Sequence, residues 1–416
     1  MQHRSTSLVL AAIATFATAA CSGGGDSAPD STAVATTSTL APPRTGDGQL
    51  KIGILLPTSD VVIGEPLVDA TQDAIRTINT AGGVLGNRVT MIIEDEGDTS
   101  AAAAESIQRL IEEEVDAIVG PASSLIALGT LGDIVTAEIV TCSPTASSLA
   151  LDDFPDGELF FRTIPSDSLQ AAAIADAVGL TGVTRVAIAH VDDAYGRPFA
   201  EAVSDALVSR RLTVVDSSGF SAADDDLVDD ARRTAASGAQ AIVILADAED
   251  GTSFLSALGQ TDHSPLAAVV VNDAIRSPTS PQAIQGLDDD LREKISGLAP
   301  LATPNEASPY EPAGFFAVNA HDCVNLIALS ALQAGSDTPS EIAGQMASVS
   351  AGGAVCRNYE ACAALFADGF EIDYNGPSGV TELTARRGDP RRALFQLFGF
   401  DETGRDVSGG VLEVGM

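Results

Sequence analysis

The stretch LKIGILLPTSD at residues 50–60 decides the fold class of this chain. Its run Lys51–Leu56 is short and mostly apolar and is followed by Pro57, which is typical of a strand buried in a parallel sheet. A helix is predicted directly after it, and Gly82 and Gly83 end that helix. The core-facing residues of this helix recur with the spacing of one helical face: Thr71, Ala74, Ile75 and Ile78. A buried strand followed by an amphipathic helix is the first unit of an α/β fold.

The same alternation continues outward from this unit in two series, separated by a break near residues 161–165. The first series has an N-cap at Ser100 for its second helix and a third helix from about Ser124. Strands are predicted at residues 88–93, 115–119, 139–142, 185–191, 212–215, 241–246 and 266–271. The later helices are predicted at residues 168–180, 198–209, about 225–237 and 315–334, before short strand-like pieces in 372–414. Two such series predict two doubly wound parallel-sheet lobes, which bind ligands at the carboxyl ends of their strands.

The first 48 residues have the composition of a targeting segment and a tether. Arg4 precedes an apolar run at residues 8–20, which is too short to span a bilayer and suits a secretory signal. The following Thr18-Ala19-Ala20-Cys21 resembles a bacterial lipobox, which implies a signal peptide of residues 1–20 and lipidation of Cys21. A secreted protein with an incidental cysteine is the alternative. Residues 21–48 are rich in Gly, Ser, Thr and Pro, so we expect a flexible linker that holds the body at the outer face of the cell membrane.

Composition and missing motifs exclude several classes of function. The formal net charge of -36 opposes binding to nucleic acid. No HExxH, GxSxG, GxGxxG or phosphate-loop motif occurs, so we expect neither an enzyme nor a bound metal or cofactor. The acidic runs at residues 224–226 and 288–290 lack EF-hand spacing and are interpreted as solvated loops.

The cysteines other than Cys21 fall into two groups. Cys356 and Cys362 are six residues apart, which in an oxidising compartment predicts a local disulfide. Cys142 lies in a strand pattern and Cys323 in a helical one, and both are interpreted as small core residues. Whether those two thiols are free stays open.

Several segments taken together resemble the leucine/isoleucine/valine-binding protein family, the type I periplasmic binding proteins that serve ABC transporters. They are IGILLPTSD, AIRTINTAGGVLGNRV, IIEDEGDT, IVGPASS, IVTCSPTASS, FFRTIPSD, VDDAYG and, near the end, DYNGPSG. The resemblance spans most of residues 49–404. It implies two α/β lobes joined by a three-stranded hinge, with crossings near residues 162–166, 297–303 and 388–394. Lobe 1 would hold residues 49–163 and 300–390, and lobe 2 residues 164–299 and 391–416.

The resemblance also implies a ligand site. Ser124, with Thr145, Ala146 and Ser147, would face the ligand carboxylate, since a helix start offers N–H groups and a positive dipole end. Tyr195 would line the cleft from the second lobe, and Asp273 would hold the ligand ammonium. Asp247, which ends the predicted strand 241–246, is a further candidate for a ligand with a second positive group. Ile63 stands where relatives often have an aromatic residue, so the side-chain pocket is expected to differ.

The expected function is therefore capture of a small polar, amino-acid-like ligand by hinge closure and its delivery to the membrane permease of an ABC transporter. Two alternatives remain at this point. One is a ligand-sensing or envelope-regulatory lipoprotein of the same fold that acts by protein contact. The other is an extracellular hydrolase, which the missing nucleophile–base pair makes the weaker alternative.

Overall fold

The computed structural model describes residues 45–221, 226–301, 316–379 and 382–415. The predicted signal segment, Cys21 and nearly all of the predicted linker therefore lie outside the described residues, as do Asp224 and Asp225 of the first acidic run. Pro43–Met416 forms one compact unit. Within its described part, no helix is long and apolar enough to cross a membrane.

The first series of units builds a five-stranded, all-parallel sheet in the order β2-β1-β3-β4-β5. Its strands are β1 (Lys51–Leu56), β2 (Thr90–Asp95), β3 (Ala117–Val119), β4 (Val140–Ser143) and β5 (Phe160–Arg162). The intervening helices are α1 (Gly64–Thr80), α2 (Ser100–Glu112) and α3 (Ser124–Thr136). One detail differs from expectation: the N-cap of α2 is Thr99, whose hydroxyl accepts the Ala102 N–H at 3.2 Å, and Ser100 is the first helical residue.

The second series builds a seven-stranded sheet in the order β14-β13-β10-β9-β8-β6-β7. Its strands are β6 (Arg185–Val191), β7 (Thr213–Phe220), β8 (Ala241–Leu245), β9 (Ala268–Val271), β10 (Ile295–Pro300), β13 (Arg392–Phe400) and β14 (Asp406–Gly415). Its helices are α4 (Asp167–Leu180), α5 (Gly196–Ser209), α6 (Leu227–Ala235), α7 (Ala248–Leu258), α8 (Pro281–Gln285) and α9 (Asp289–Lys294). The strands β13 and β14 run antiparallel to their neighbours, so the carboxyl-terminal pieces form a hairpin on an otherwise parallel sheet.

The chain returns to the first sheet before it makes that hairpin. The returning elements are α10 (Ala317–Ala334), α11 (Pro339–Met346), β11 (Ala354–Cys356), α12 (Tyr359–Ala367) and β12 (Ile372–Tyr374). Their buried side chains, such as Val324, share one core with Ile52 of β1. The chain thus passes between the sheets from β5 into α4 and again from β12 to β13. The predicted crossing at 297–303 begins inside β10, and residues 302–315 lie outside the described residues.

Two disulfides fasten the elements around the first sheet. Cys142 of β4 bonds Cys323 of α10, although the two are 181 residues apart in sequence. Both side chains are fully buried in the core, as their interpretation as core residues predicted. The question whether they are free is answered by their bond to each other, which forms where the strand and the helix that carry them pack together. Cys356 and Cys362 are joined to each other, which ties β11 to α12.

Candidate functional site

The start of α3 carries several backbone N–H groups, and Glu96 takes two of them. Its carboxylate accepts the N–H of Ala122 at 2.6 Å and the N–H of Ser123 at 3.2 Å. Burial raises the pKa of Glu96 to about 7, although these two donors oppose the rise. Within the described residues, the N–H groups of Ser124 and Leu125 have no acceptor. Fewer N–H groups are therefore left for a ligand anion at this helix start than the sequence suggested, because Glu96 already accepts two of them.

The loop after β4 is locked against this helix start. Ser143 Oγ donates to the Pro121 carbonyl at 2.6 Å and accepts the Ala146 N–H at 3.0 Å. Thr145 Oγ1 donates to the Ala122 carbonyl at 2.7 Å, and the Ser148 N–H donates to Ser124 Oγ at 3.2 Å. Three of the predicted residues, Ser124, Thr145 and Ser147, are half-buried here, whereas Ala146 is fully buried and packs in a small apolar cluster. The structure therefore brings the predicted lobe 1 residues into one place.

Arg162, at the end of β5, fastens this loop to two of the segments that join the sheets. Its buried guanidinium donates to Asp389 at 2.6 Å, to Asp152, and to the carbonyls of Ala146 and Ser148, each at 3.1 Å. The backbone makes a second link to the segment that carries Asp389, because the Arg162 N–H donates to the Gly388 carbonyl at 3.0 Å. Gly388 is required there because a Cβ would lie 2.1 Å from the Phe160 carbonyl oxygen. All three guanidinium nitrogens of Arg162 therefore donate hydrogen bonds, and we call this arrangement the Arg162 hub.

The second sheet contributes acceptors at the carboxyl ends of its strands. Asp273 begins the short turn after β9 and accepts the Gln170 Nε2–H at 2.9 Å, and burial raises the pKa of its carboxyl. Tyr195, at the start of α5, has its hydroxyl 3.4 Å from Asn272 Nδ2, which donates to it. Burial and the nearby carboxylates of Asp167 and Asp273 raise the pKa of the Tyr195 phenol. The predicted pair Asp273 and Tyr195 is therefore in one place.

Asp167 connects this acceptor group to the donors of the first sheet. It is the first residue of α4 and only 2% exposed, and its N–H donates to the Ser147 carbonyl at 2.9 Å. Burial and the neighbouring Asp273 raise the pKa of Asp167 to about 8, against a hydrogen bond from the Ser147 hydroxyl. The predicted residues Ser147, Asp273 and Tyr195 thus meet around a carboxyl group to which the sequence interpretation assigned no role.

Two other candidates lie apart from this cluster or at its rim. The exposed Asp247 carboxylate caps α7, where it accepts the Asp250 N–H at 2.9 Å. Ile63 precedes α1 and is 37% exposed, next to Val61 at 72% exposure, and Leu125 at the start of α3 is 47% exposed. These apolar side chains follow the carboxyl ends of β1 and β3, so the first sheet presents an apolar rim beside its N–H donors.

Away from this region, His263, Asp288 and Asp290 form the one group in the described residues with the spacing of metal ligands. Its acids already have partners: Asp288 caps α9 at Leu291, and Lys294 Nζ lies 2.7 Å from Asp290. The second acidic run is therefore explained by capping and ion pairing.

Comparison with known proteins identifies the family. A family model for periplasmic binding proteins matches residues 49–289, which is more than half of the chain. This chain belongs to the periplasmic binding protein family. The resemblance inferred from the sequence segments is confirmed at this level.

Two relatives of this periplasmic binding protein are matched along most of their length. The chemotactic signal transduction system substrate-binding protein BasB of Halobacterium salinarum is 28% identical over 349 residues, covering 80% of this chain and 83% of the relative. The Leu/Ile/Val-binding protein homolog 3 of Brucella melitensis is 24% identical, covering 69% and 80%. An ABC transporter substrate-binding protein of Desulfitobacterium hafniense, solved in complex with Leu, superposes with a TM-score of 0.68 at 20% identity, covering 87% of this chain and 100% of that chain. That match shows the type I two-lobed fold.

Asp167 and Gln170 lie beside Asp273 in the candidate site, and the sequence analysis assigned no role to either. A signal was present, because Asp167 ends the FFRTIPSD segment that helped to carry the family resemblance. The sequence analysis gave it no role of its own, because nothing in the sequence places it beside Asp273, 106 residues later. That proximity comes from α4 packing over β9 and β10.

Proposed function

We propose that this periplasmic binding protein captures a small zwitterion, an amino acid or a close analogue, and delivers it to an ABC-transporter permease without chemical turnover. The observation that carries the proposal is the contact between Ser147 and Asp167, where hydrogen-bond donors from one sheet meet carboxylates from the other. A ligand with both an anionic and a cationic end would engage both groups at once. The proposal is also supported by the Leu complex of the Desulfitobacterium hafniense relative.

The ligand carboxylate is proposed to bind Ser124 and Ser147, with the unpaired N–H groups at the start of α3. Thr145 and Ala146 would shape this end. The ammonium is proposed to bind Asp273 with Tyr195 beside it. Asp247 is assigned to the rim, where it would favour a ligand with a second positive group.

We propose that the two lobes close on the ligand because its carboxylate and its ammonium contact different lobes. The two bodies would be residues 49–163 with 300–390, and 164–299 with 391–416. A ligand that contacts both stabilises the closed form over the open form, and such differential affinity is what drives closure. Arg162 would hold the donor loop in register with the joining segments during that motion.

The ligand class is tested with a thermal-shift panel of amino acids, their amides and small acids, followed by calorimetry on two variants. Asp273→Ala should cost on the order of 3–5 kcal/mol of binding free energy, since it leaves a buried ammonium without a charged partner. Ser124→Ala removes one of several neutral donors and should cost about 1–3 kcal/mol. If Asp273→Ala binds the identified amino acid as tightly as the parent, the zwitterion assignment is wrong and a neutral or acidic solute takes its place.

Anchoring through lipidated Cys21 is part of the proposal and rests on the amino-terminal sequence. Cys21→Ser should move the protein from the membrane fraction to the soluble extracytoplasmic fraction. A variant that stays in the membrane fraction after high-salt washing would remove the lipid anchor from the proposal.

A second candidate function is ligand sensing, which is favoured by the similarity to a substrate-binding protein of a chemotactic signal transduction system in Halobacterium salinarum. A sensor and a transport component would bind the same ligand but pass it to different partners. Uptake of the radiolabelled ligand, measured in cells with and without this chain, separates them. Unchanged uptake together with a lost behavioural or transcriptional response would favour sensing.

A further inference from the structure

A buried carboxyl group of the protein lies at the start of α3, beside the place proposed for the ligand carboxylate. Glu96, in the segment after β2, is 2% exposed, and its two oxygens accept the N–H groups of Ala122 at 2.6 Å and of Ser123 at 3.2 Å. The next two N–H groups along the chain, those of Ser124 and Leu125, have no acceptor within the described residues. Two anions would therefore share one helix start when a ligand carboxylate binds there.

The fold fixes Glu96 in this position from two sides. Its own N–H donates to the Leu56 carbonyl at 3.1 Å, which continues the pairing of β2 with β1. On the other side, Gly120 brings the segment before α3 down onto β1, where a Cβ would lie 1.9 Å from the Leu55 carbonyl oxygen. The start of α3 therefore passes over β1 within reach of a side chain that follows β2.

The charges around Glu96 do not neutralise it. Among the described residues no cation acts on its carboxyl group, and the titratable neighbour that does act is Asp95 of β2, which raises its pKa. Residues 121–130 contain no titratable side chain, and Asp60, in the loop after β1, is exposed and accepts the Val62 N–H at 2.8 Å. Burial raises the pKa of Glu96 to about 7. The free protein therefore holds this carboxyl group close to half protonated at pH 7.

We propose that Glu96 couples ligand capture to protonation, so that the ligand carboxylate binds at the start of α3 together with one proton from solvent, which Glu96 takes up. This inference rests on the proposed binding of a ligand that carries a carboxylate. It assigns to Glu96 a positioning role that acts through charge, and it makes capture stronger on the acid side of neutrality.

The physical reason is repulsion between like charges at short range. Consecutive residues of a helix rise by about 1.5 Å, so acceptors on neighbouring N–H groups lie only a few ångströms apart. Two carboxylates at that distance are not both ionised at low cost, and the ligand α-carboxyl keeps its charge because its ordinary pKa is far lower. Binding should therefore raise the pKa of Glu96 further. A group whose pKa rises on binding takes up a proton, so affinity should fall by up to about tenfold per pH unit above pH 7.

L-Leucine is the probe, and calorimetry on the intact chain between about pH 6.5 and 8.5 compares the parent with Glu96→Gln, which is uncharged throughout. The affinity of the parent relative to that variant should fall about tenfold over this range. The two proteins should bind alike near pH 6.5, whereas the variant should bind more tightly near pH 8.5, which loss of a merely structural residue would not produce. Asp167, with a pKa of about 8, titrates in both proteins and cancels in the comparison. Glu105→Gln, an exposed acid of α2, is the matched control and should follow the parent.

Two further measurements follow the proton itself. Calorimetry near pH 7.5, in buffers with different ionisation enthalpies, should show that the parent takes up about half a proton more than Glu96→Gln on binding. Carbon-13 NMR of the glutamate δ-carboxyl groups gives the titration midpoint of Glu96 in the parent, assigned by the signal lost in Glu96→Gln or Glu96→Asp. Saturation with L-leucine should raise that midpoint by at least about one pH unit.

The outcomes separate this inference from the broader proposal. Parallel affinity–pH curves for the parent and a folded Glu96→Gln variant, with L-leucine bound by both, overturn the coupling and leave the two-lobed binding function standing. If Glu96→Gln does not fold, the NMR midpoint of the parent decides: a rise on binding supports the coupling, and an unchanged midpoint overturns it. If L-leucine does not bind the parent at any pH in this range, the coupling is overturned, and the wider panel alone decides the proposed function.

Discussion

Two groups of buried and half-buried acidic side chains lie on either side of Ser166, in the segment that joins the two sheets. In the first group, Asp152 and Asp389 both bond the Arg162 guanidinium, and Ser166 Oγ donates to Asp152 at 2.8 and 3.0 Å. In the second group, Asp167 and Asp273 form no ion pair within the described part of the chain, and Asp167 Oδ2 has no hydrogen-bond partner there. The chain thus places two pairs of aspartates around one joining segment in two different electrostatic environments.

The difference distinguishes acids that stabilise the fold from acids that the proposed function assigns to the ligand. A buried ion pair with all hydrogen bonds made fixes one geometry, and removing a partner strands the remaining charge. An unpaired buried carboxyl gains nothing in the free protein, so its burial costs stability until something binds. The Arg162 group therefore holds the joining segments in place, whereas the Asp167 group lies in the candidate site, where the proposed ligand would bind.

The largest expected effect is on the paired group. Arg162→Ala should lower the free energy of unfolding by about 3–5 kcal/mol, because it leaves Asp152 and Asp389 buried without a counter-charge. Urea unfolding of the ligand-free protein measures it. Arg210→Ala is the control, since its pair with Asp176 is partly exposed and should contribute less than about 1 kcal/mol. Equal losses of unfolding free energy for the two variants would mean that Arg162 stabilises the fold no more than a surface ion pair does.

The unpaired carboxyl group of Asp167 should make the stability of the free protein depend on pH. The pKa of Asp167 is about 8 in the folded protein and near 3.8 when unfolded, so between these values the native state binds the extra proton. Stability of the free protein should therefore fall as pH rises from about 4 to 8, by up to about 1.4 kcal/mol per pH unit from this group. Glu96, with a raised pKa of about 7, adds a slope of the same sign. The difference between the parent and Asp167→Asn isolates the Asp167 part, measured by urea unfolding at several pH values. Parallel curves would mean that Asp167 is ionised and satisfied in the free protein.

The smallest expected effect is on the boundary between the two groups. Ser166→Ala removes the hydrogen bonds to Asp152 and the cap that accepts the Ser168 N–H at 3.1 Å. A loss of about 1–2 kcal/mol is expected, typical of a helix cap with one further hydrogen bond. Ser168→Ala changes a neighbouring hydroxyl without touching Asp152 and serves as the comparison. A loss as large as that of Arg162→Ala would place Ser166, not Arg162, at the centre of the paired group.

Much of the fold follows from local pattern. The apolar runs at β1 and β8 and the periodic helices α1 and α2 are determined within about 15 residues each, so sequence alone predicted them. Boundaries were less certain, because Thr99 and Ser100 both have capping hydroxyls and only the backbone dihedrals decide which one caps. The sequence of the β13–β14 hairpin shows only weak alternation of apolar and polar residues. Its place at the edge of the second sheet depends on pairing with β10.

The sequence by itself determined the alternation of strands and helices, the break between the two series, and the residue types of the candidate site. Tertiary structure decided which of those residues meet. The bond between Cys142 and Cys323 spans 181 residues, and Asp167 faces Asp273 through the packing of α4 on the second sheet. Burial also decided how a carboxyl group behaves: Asp247 is an exposed helix cap, whereas burial and the neighbouring Asp273 raise the pKa of Asp167 to about 8. No local pattern encodes that difference, because it arises from what the rest of the fold places around the carboxyl group.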